Sequence, residues 1–381
     1  MPRMLPLIPF NKPYFSGHET RYIEQAVRSG KISGDGLFTQ RVHQFFEAQL
    51  GFRKVLLTTS CTDALEMAAL LLNIGPGDEV IMPSFTFVST ANAFVLRGAT
   101  VVFADSTALN PNLDAAALES LVTPRTRAVV PVHYAGIACD MDAIEAVAAR
   151  YQLAVVEDAA HAIDSYHRGR ALGTLGTLGA FSFHETKNII SGEGGMLAIN
   201  DERLAARAEV IREKGTTRTA FYRGEVDKYG WVDLGSSFLP SDIIAAYLWA
   251  QLENLADIQQ QRRAIWQRYY AALAPLRPLG VGLPVLPDFA TNNGHLFYLV
   301  CRSLAERTAL LAHLKQRGIW AVFHYLPLHQ SPYYAARHDG RALPWADHYA
   351  DQLIRLPLFY ELSEADQRRV TDEVLGFYQA Y

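Results

Sequence analysis

Cysteine is nearly absent. The three thiols, Cys61, Cys139 and Cys301, are scattered along the chain. They are too few for a disulfide framework and lack the paired spacing of a metal site, the usage of a reducing compartment. There is no block of basic residues, and the formal net charge is −4. That argues against nucleic acid or an anionic membrane as the main partner, while leaving room for a local basic pocket. No apolar run reaches the ~20 residues of a membrane span. The stretch 1–9 is apolar but interrupted by Pro2, Pro6 and Pro9, and it lacks the apolar core and cleavage site of a signal peptide. Repeats and low-complexity tracts are missing too. These absences describe a cytosolic protein with no metal centre.

What is there is enough apolar residue for a large core. Half of the 381 residues are hydrophobic and 19% are charged, the balance of a globular protein, and ~150 residues per domain predicts two or three domains. Short β-rich runs alternate with helical patterns between about residues 50 and 200. The strands fall at 55–58, 79–82, 100–104, 128–133, 153–157, 180–183 and 195–199, with helices at 62–72 and 142–151. Runs apolar nearly throughout suit strands covered on both faces, so the pattern predicts βαβ units and a mainly parallel sheet. A long helical pattern covers 241–273, a Pro- and Gly-rich crossing segment 275–291, and a smaller α/β region follows with strands at 295–300 and 320–323 around a helix at 304–317.

Chemistry gathers where predicted strands end. Strand 55–58 runs into Thr59-Ser60-Cys61-Thr62 and a helix. A helix N-terminus offers free N–H groups and partial positive charge, so Ser60, Thr62 and the Cys61 amide make a candidate phosphate cradle, with simple N-capping as the alternative. Ser182, five residues before Lys187, supplies another hydroxyl or is an ordinary strand serine. Phe85 and Phe87 leave a second strand, and either one of them stacks on a flat ring or both belong to the core. Asp158 and His161 follow strand 153–157, where the plain alternatives are a helix cap and a core histidine. Lys187 follows strand 180–183, with Ser191-Gly192-Glu193-Gly194-Gly195 as a flexible turn beyond it.

In open α/β sheets ligands bind beyond the carboxyl ends of the strands. An acid and a lysine at that edge are what pyridoxal phosphate (PLP) requires. The amine forms a Schiff base with the cofactor aldehyde, and the carboxylate keeps the pyridine nitrogen protonated.

The strings Ser60-Cys61-Thr62-Asp63-Ala64-Leu65, Pro83-Ser84-Phe85-Thr86-Phe87, Glu157-Asp158-Ala159-Ala160-His161, and Ser182 with Lys187 resemble the DegT/DnrJ/EryC1/StrS sugar aminotransferases. The resemblance runs from Ile8-Pro9-Phe10-Asn11 to Leu356-Pro357-Leu358-Phe359-Tyr360. It implies fold type I, the aspartate-aminotransferase architecture, with a large PLP-binding domain at 1–250 and a smaller C-terminal α/β domain at 251–381. It also implies that Lys187 is the Schiff-base lysine, Asp158 faces the pyridine nitrogen, His161 lies on the ring's hydroxyl side and Phe87 stacks. Ser182, Cys61 and Thr62 fall on its phosphate contacts, beside the cradle candidate Ser60. Lysine rather than histidine at 187 implies transamination, not dehydration. The implied substrates are L-glutamate and a sugar nucleotide, TDP-4-keto-6-deoxy-D-glucose. The implied product is a 4-amino sugar nucleotide for cell-surface polysaccharide such as lipopolysaccharide and enterobacterial common antigen.

The family also implies a homodimer with shared active sites. Where it often carries Gly-x-Asn-x-Arg, the asparagine reaching the neighbour's phosphate, this chain reads Gly235-Ser236-Ser237-Phe238-Leu239. Ser237 donates a hydrogen bond from a shorter arm. The alternatives are a transaminase for another 3- or 4-keto sugar nucleotide, a PLP lyase or desulfurase using Cys61 or Cys301, and a cofactor-binding regulatory protein. The last has no DNA-binding helix pair or basic stripe in its favour.

Overall fold

Apolar runs of this kind bury themselves by pairing, and here they do so in one sheet. The computed structural model describes residues 6–380, so the first five residues of the proline-broken N-terminal stretch lie outside the described residues. The strands are β1 (Val55–Thr58), β2 (Glu79–Pro83), β3 (Thr100–Ala104), β4 (Thr126–Val129), β5 (Ala154–Asp158), a small hairpin of β6 (Tyr166–His167) and β7 (Arg170–Ala171), then β8 (Leu178–Ser182) and β9 (Gly195–Ile199). The sheet order is β1-β9-β8-β5-β4-β2-β3. Pairing is parallel from β8 through β3, and β9 runs antiparallel to both its neighbours. All strands but β9 therefore end at the same edge, and the expected mainly parallel sheet is present.

Successive strand residues face opposite sides, and each side is covered. Leu56, Val80 and Met82 pack with helices Cys61–Leu71 and Val88–Val95. Val55 and Leu57 pack the other way, with helices Leu37–Gln44 and Asp242–Leu252, while Ile81 meets Met141–Tyr151. Coverage on both faces is why the strands read as continuous apolar runs rather than alternating ones.

Two expectations shift. The run 128–133 stops pairing as a strand at Val129, leaving a single bridge from Val132 to Asp158. Pro131 has no N–H to give a ladder. The long pattern 241–273 is two helices, Asp242–Leu252 and Leu255–Leu273. Asn254 sits between them, and its side chain donates to the Ala250 carbonyl at 2.8 Å, the local competition with helical bonding that makes asparagine a helix interrupter.

A second sheet holds β10 (Phe297–Val300), β11 (Val322–Phe323) and β12 (Leu353–Leu356), in antiparallel order β10-β12-β11. Its core includes Ile265, Trp266, Tyr269, Leu310, Leu314, Val370 and Val374 from flanking helices. The N-terminal segment joins this part, with Ile8 bridging Ile319 in parallel. Asn11 then ties it to the loop carrying Lys187 by donating to the Glu185 carbonyl at 3.1 Å.

Candidate active site

Register decides what meets at the sheet edge. Thr58 pairs with Gly195 and Gly195 with Ser182, so the turn after β1 lies beside the end of β8. Asp158, last residue of β5, pairs with Ala180 on the same β8. A cavity of about 760 Å³ opens above this line. Ser60, Cys61, Thr62, Phe87, Asp158, His161, Ser182 and Lys187 all line it. Ser237 does not; it is exposed and forms an isolated bridge with Glu213.

At the turn after β1, Ser60 is a helix cap: its side chain accepts from the Asp63 amide at 3.1 Å at the start of helix Cys61–Leu71 and also hydrogen-bonds the Asp63 carboxyl. The Thr62 hydroxyl donates to Ser89 Oγ at 2.9 Å. Helix geometry leaves the first-turn amides of Cys61 and Thr62 without intrahelical partners. Gly195 permits the approach: a Cβ there would stand 2.3 Å from the Ser60 carbonyl carbon and oxygen and 2.4 Å from the Cys61 nitrogen.

The carboxylate end is buried. Asp158 is 5% exposed and accepts from Thr90 Oγ1 at 2.7 Å and from the Ala160 amide at 3.2 Å. Burial raises its pKa, opposed by those two hydrogen bonds and the Lys187 charge. Burial likewise lowers the Lys187 amine to about 8, with Cys61 and Asp158 pulling the other way and Arg355 adding to the depression. A lysine near neutrality is a nucleophile and a base at working pH.

One wall is a bank of imidazoles. His161 stacks on His295 at 4.2 Å between ring centroids and lies nearly parallel to His324 at 6.1 Å. Burial, reinforced by neighbouring positive charge, holds all three well below the ordinary histidine pKa, hence neutral. His161 Nδ1 accepts from the Ala135 amide at 3.3 Å, so its proton resides on Nε2. The two aromatics after β2 divide. Phe85 is core, while Phe87 is 57% exposed at the cavity.

Sequence reading missed Thr90, His295, His324, Tyr325 and Arg355, which also line the cavity. The last three come from the small sheet's side, and β12, which carries Arg355, was not foreseen. Its run, Leu353-Ile354-Arg355-Leu356, is short enough to pass for a loop beside a helix. A single arginine inside an otherwise apolar run was the available signal.

The cavity suits PLP. Hydroxyls and free amides stand at one end, a buried carboxylate at another, a half-buried amine between strands and an exposed aromatic at the side. The profile of the DegT/DnrJ/EryC1/StrS aminotransferase family matches residues 13–375. The chain belongs to this family.

Solved structures agree along nearly the whole length. The aminotransferase TlmJ from Streptoalloteichus hindustanus is 32% identical, with 98% of this chain and 99% of that one covered at a TM-score of 0.91. DesV of S. venezuelae is 33% identical, with the same coverages and a TM-score of 0.89. A proposed sugar aminotransferase from Streptococcus pneumoniae, Spr1654, in its PLP form, is 26% identical over 98% of this chain and 99% of that one, with a TM-score of 0.90. The family member described here is thus a PLP-dependent sugar aminotransferase of fold type I.

That bears out the aminotransferase reading over the lyase and regulatory alternatives. The thiols concur: burial holds the Cys61 thiol well above its usual pKa, hence protonated, and Cys301 is 1% exposed in the core of the small sheet. Among the described residues, no helix is long and apolar enough to cross a membrane.

Proposed function

We propose that this chain transfers the amino group of L-glutamate to C4 of TDP-4-keto-6-deoxy-D-glucose, giving TDP-4-amino-4,6-dideoxy-D-galactose and 2-oxoglutarate. The observation that carries the site assignment is the shared cavity of Lys187, Asp158 and the Ser60–Thr62 turn. The substrate rests on longer strings that resemble TDP-4-amino-4,6-dideoxygalactose transaminase. These are Pro131-Val132-His133-Tyr134-Ala135-Gly136, Phe183-His184-Glu185-Thr186-Lys187-Asn188 and Val322-Phe323-His324-Tyr325. Such a 4-amino sugar serves cell-surface polysaccharides, including lipopolysaccharide and enterobacterial common antigen, and a cytoplasmic site of synthesis fits the sugar nucleotide.

PLP, when bound, supplies the reactive aldehyde and the electron sink. Ser60, Thr62, Ser182 and the Cys61 amide hold its phosphate. Asp158 keeps a proton on the ring nitrogen, with Thr90 fixing the carboxylate. Neutral His161 stands on the ring's hydroxyl side as an Nε2–H donor, and Phe87 restrains the ring face. Lys187 Nζ is first the attachment point. Once displaced it would be a neutral amine that takes the proton from the donor's α-carbon and passes it to the cofactor carbon it had held, and in the second half-reaction it would take a proton from that carbon and give it to sugar C4. Residues 1–250 act as the cofactor-holding domain and 251–381 as the smaller domain closing the cavity.

The working unit in this reading is a homodimer. Tyr222, Tyr229 and Trp231 are 67%, 54% and 80% exposed, a cluster of aromatics of the kind an interface buries. Ser237 at the end of this segment then serves the neighbour's phosphate site. Mixing Lys187→Ala subunits with Tyr229→Ala/Ser237→Ala subunits should regenerate activity, and proven heterodimers without activity would remove the segment from the shared site. For the substrate, the purified protein is incubated with PLP, L-glutamate and a panel of TDP- and UDP-linked 3- and 4-keto sugars. TDP-4-keto-6-deoxy-D-glucose should be consumed fastest, with an equivalent of 2-oxoglutarate. Preference for a 3-keto or UDP-linked sugar would overturn the assignment.

A further inference from the structure

An imidazole taken out of water with nothing bonded to either nitrogen is costly, and buried polar groups in folded proteins almost always have a partner. His167, in β6, is 0% exposed, and neither Nδ1 nor Nε2 has a hydrogen-bond partner among the described residues. The backbone holds the ring in place. His167 pairs with Arg170 across the β6–β7 hairpin and bridges Ala290 in the crossing segment, and its ring packs on Phe289 at 5.0 Å between centroids. It does not line the cofactor cavity.

What the ring faces is a pair of carboxylates. Nδ1 stands 3.9 Å from Asp142 Oδ1, too far for a hydrogen bond. Asp140 lies alongside, and one donor atom from each of the three residues falls within 4.8 Å of the other two. Each carboxylate has one oxygen engaged. Asp140 Oδ1 caps helix Met141–Tyr151 by accepting from the Ala143 amide at 3.1 Å, and Asp142 Oδ2 accepts from Arg168 Nε at 2.8 Å. The second oxygen of each accepts no hydrogen bond among the described residues. Nearby, Glu145 pairs with Arg170 at 3.4 Å. Arg168 and Arg170 thus answer Asp142 and Glu145, and the charge of Asp140 is left over.

We propose that Asp140, Asp142 and His167 bind one divalent transition-metal ion of the zinc class, which fastens the start of helix Met141–Tyr151 to the hairpin and the crossing segment. Zinc takes histidine nitrogen and carboxylate oxygen at about 2.0–2.2 Å, which sets tetrahedral donors about 3.4 Å apart. The imidazole is fixed, while Asp140 and Asp142 are exposed side chains free to close the remaining gap. Water completes the coordination. One imidazole with two carboxylates suits zinc, cobalt or manganese, whereas magnesium and calcium take all-oxygen sites. The helix amide on Asp140 and the guanidinium on Asp142 are the outer contacts that orient such ligands. Cysteine spacing, which argued against a metal centre, does not register carboxylates and an imidazole brought together from a helix and a hairpin.

The test uses untagged, PLP-loaded protein dialysed against a chelator. Titration with Co²⁺, followed by its visible d–d absorption, should saturate at one ion per chain with the intensity of a four-coordinate nitrogen–oxygen site. Zn²⁺ should displace the Co²⁺, and millimolar Mg²⁺ or Ca²⁺ should not. Zn²⁺ should also raise the melting temperature by a few degrees and slow amide exchange over 166–171 and 288–291. His167→Ala and Asp142→Asn should each weaken Co²⁺ binding by at least ~10–100-fold, the loss that outer contacts alone produce. Asp142→Asn gives up only an exposed ion pair with Arg168, so its metal-free melting temperature should match that of the unaltered protein. It decides the matter even if His167→Ala folds poorly.

No saturable Co²⁺ binding, or binding that Asp142→Asn leaves unchanged, would overturn the site and leave the imidazole to water alone. Displacement of Co²⁺ by Ca²⁺ would overturn the class of ion. Binding without any slowing of exchange in the hairpin and crossing segment would overturn the fastening. None of these outcomes bears on the sugar substrate, which the keto-sugar panel decides separately.

Discussion

Thr90 donates its hydroxyl proton to Asp158 across 2.7 Å, from the first turn of one helix to the end of a central strand. Thr86 in turn bonds Thr90 at 2.9 Å, so the carboxylate sits at the end of a short relay of hydroxyls. Thr90→Val should leave one carboxylate oxygen unpaired. That bond opposes the rise in the Asp158 pKa caused by burial. Its loss moves the acid limb of the kcat/KM profile to higher pH, because the ionised form is lost sooner as pH falls. Turnover at neutral pH should drop by roughly 10-fold. A pH–rate profile checks it, and an unmoved limb would mean Asp158 is set by other groups.

Asp158→Asn keeps the size of the side chain and an acceptor for Thr90 but carries no charge. Cofactor affinity should change little. Turnover should fall by ~10²–10³-fold, the range for removal of a preorganised stabilising group. Parallel measurement of PLP Kd and kcat decides, and a loss in affinity alone would make the residue a binding contact.

Lys187, with its amine brought down to about 8, should attach the cofactor at a rate that depends on the neutral form. Attachment to the cofactor-free protein, followed by near-visible absorption, should therefore speed up as pH rises towards about 8 and level off above it. Lys187→Ala should show neither that absorption nor turnover, a loss of at least ~10²–10⁴-fold. A rate still climbing steeply well above that plateau would place the amine in water rather than in the buried site.

Gly195→Ala tests the phosphate turn from behind. The added methyl would fall 2.3 Å from the Ser60 backbone, so either β9 or the turn must shift. Overpacking of this sort costs about 1–3 kcal/mol. Both the melting temperature and the affinity for inorganic phosphate or PLP should decrease. A variant with unchanged phosphate affinity would detach the turn from the binding site.

Much of this architecture was legible because buried parallel strands advertise themselves as apolar runs, and Asp158 and Lys187 follow such runs directly. Phe85 and Phe87 were not separable. Two aromatics two residues apart in one loop carry no periodic signal, and only the fold sends one inward and leaves the other at the cavity. Arg355 was hidden for a different reason. Its strand pairs with residues far away in sequence, Tyr298 and Val322, and the only local mark of a four-residue strand following directly on a helix is one arginine in an apolar run. The same holds for His295 and His324, whose stack with His161 joins three distant segments.

The central claim is that Lys187 is the covalent seat of the cofactor. Borohydride reduction of the PLP-loaded protein fixes the linkage, and peptide mass spectrometry then locates it. The pyridoxyl group should be found on Lys187 alone and should vanish if L-glutamate is added before reduction. Modification of another lysine, or of Lys187 undiminished by the amino donor, would contradict the account.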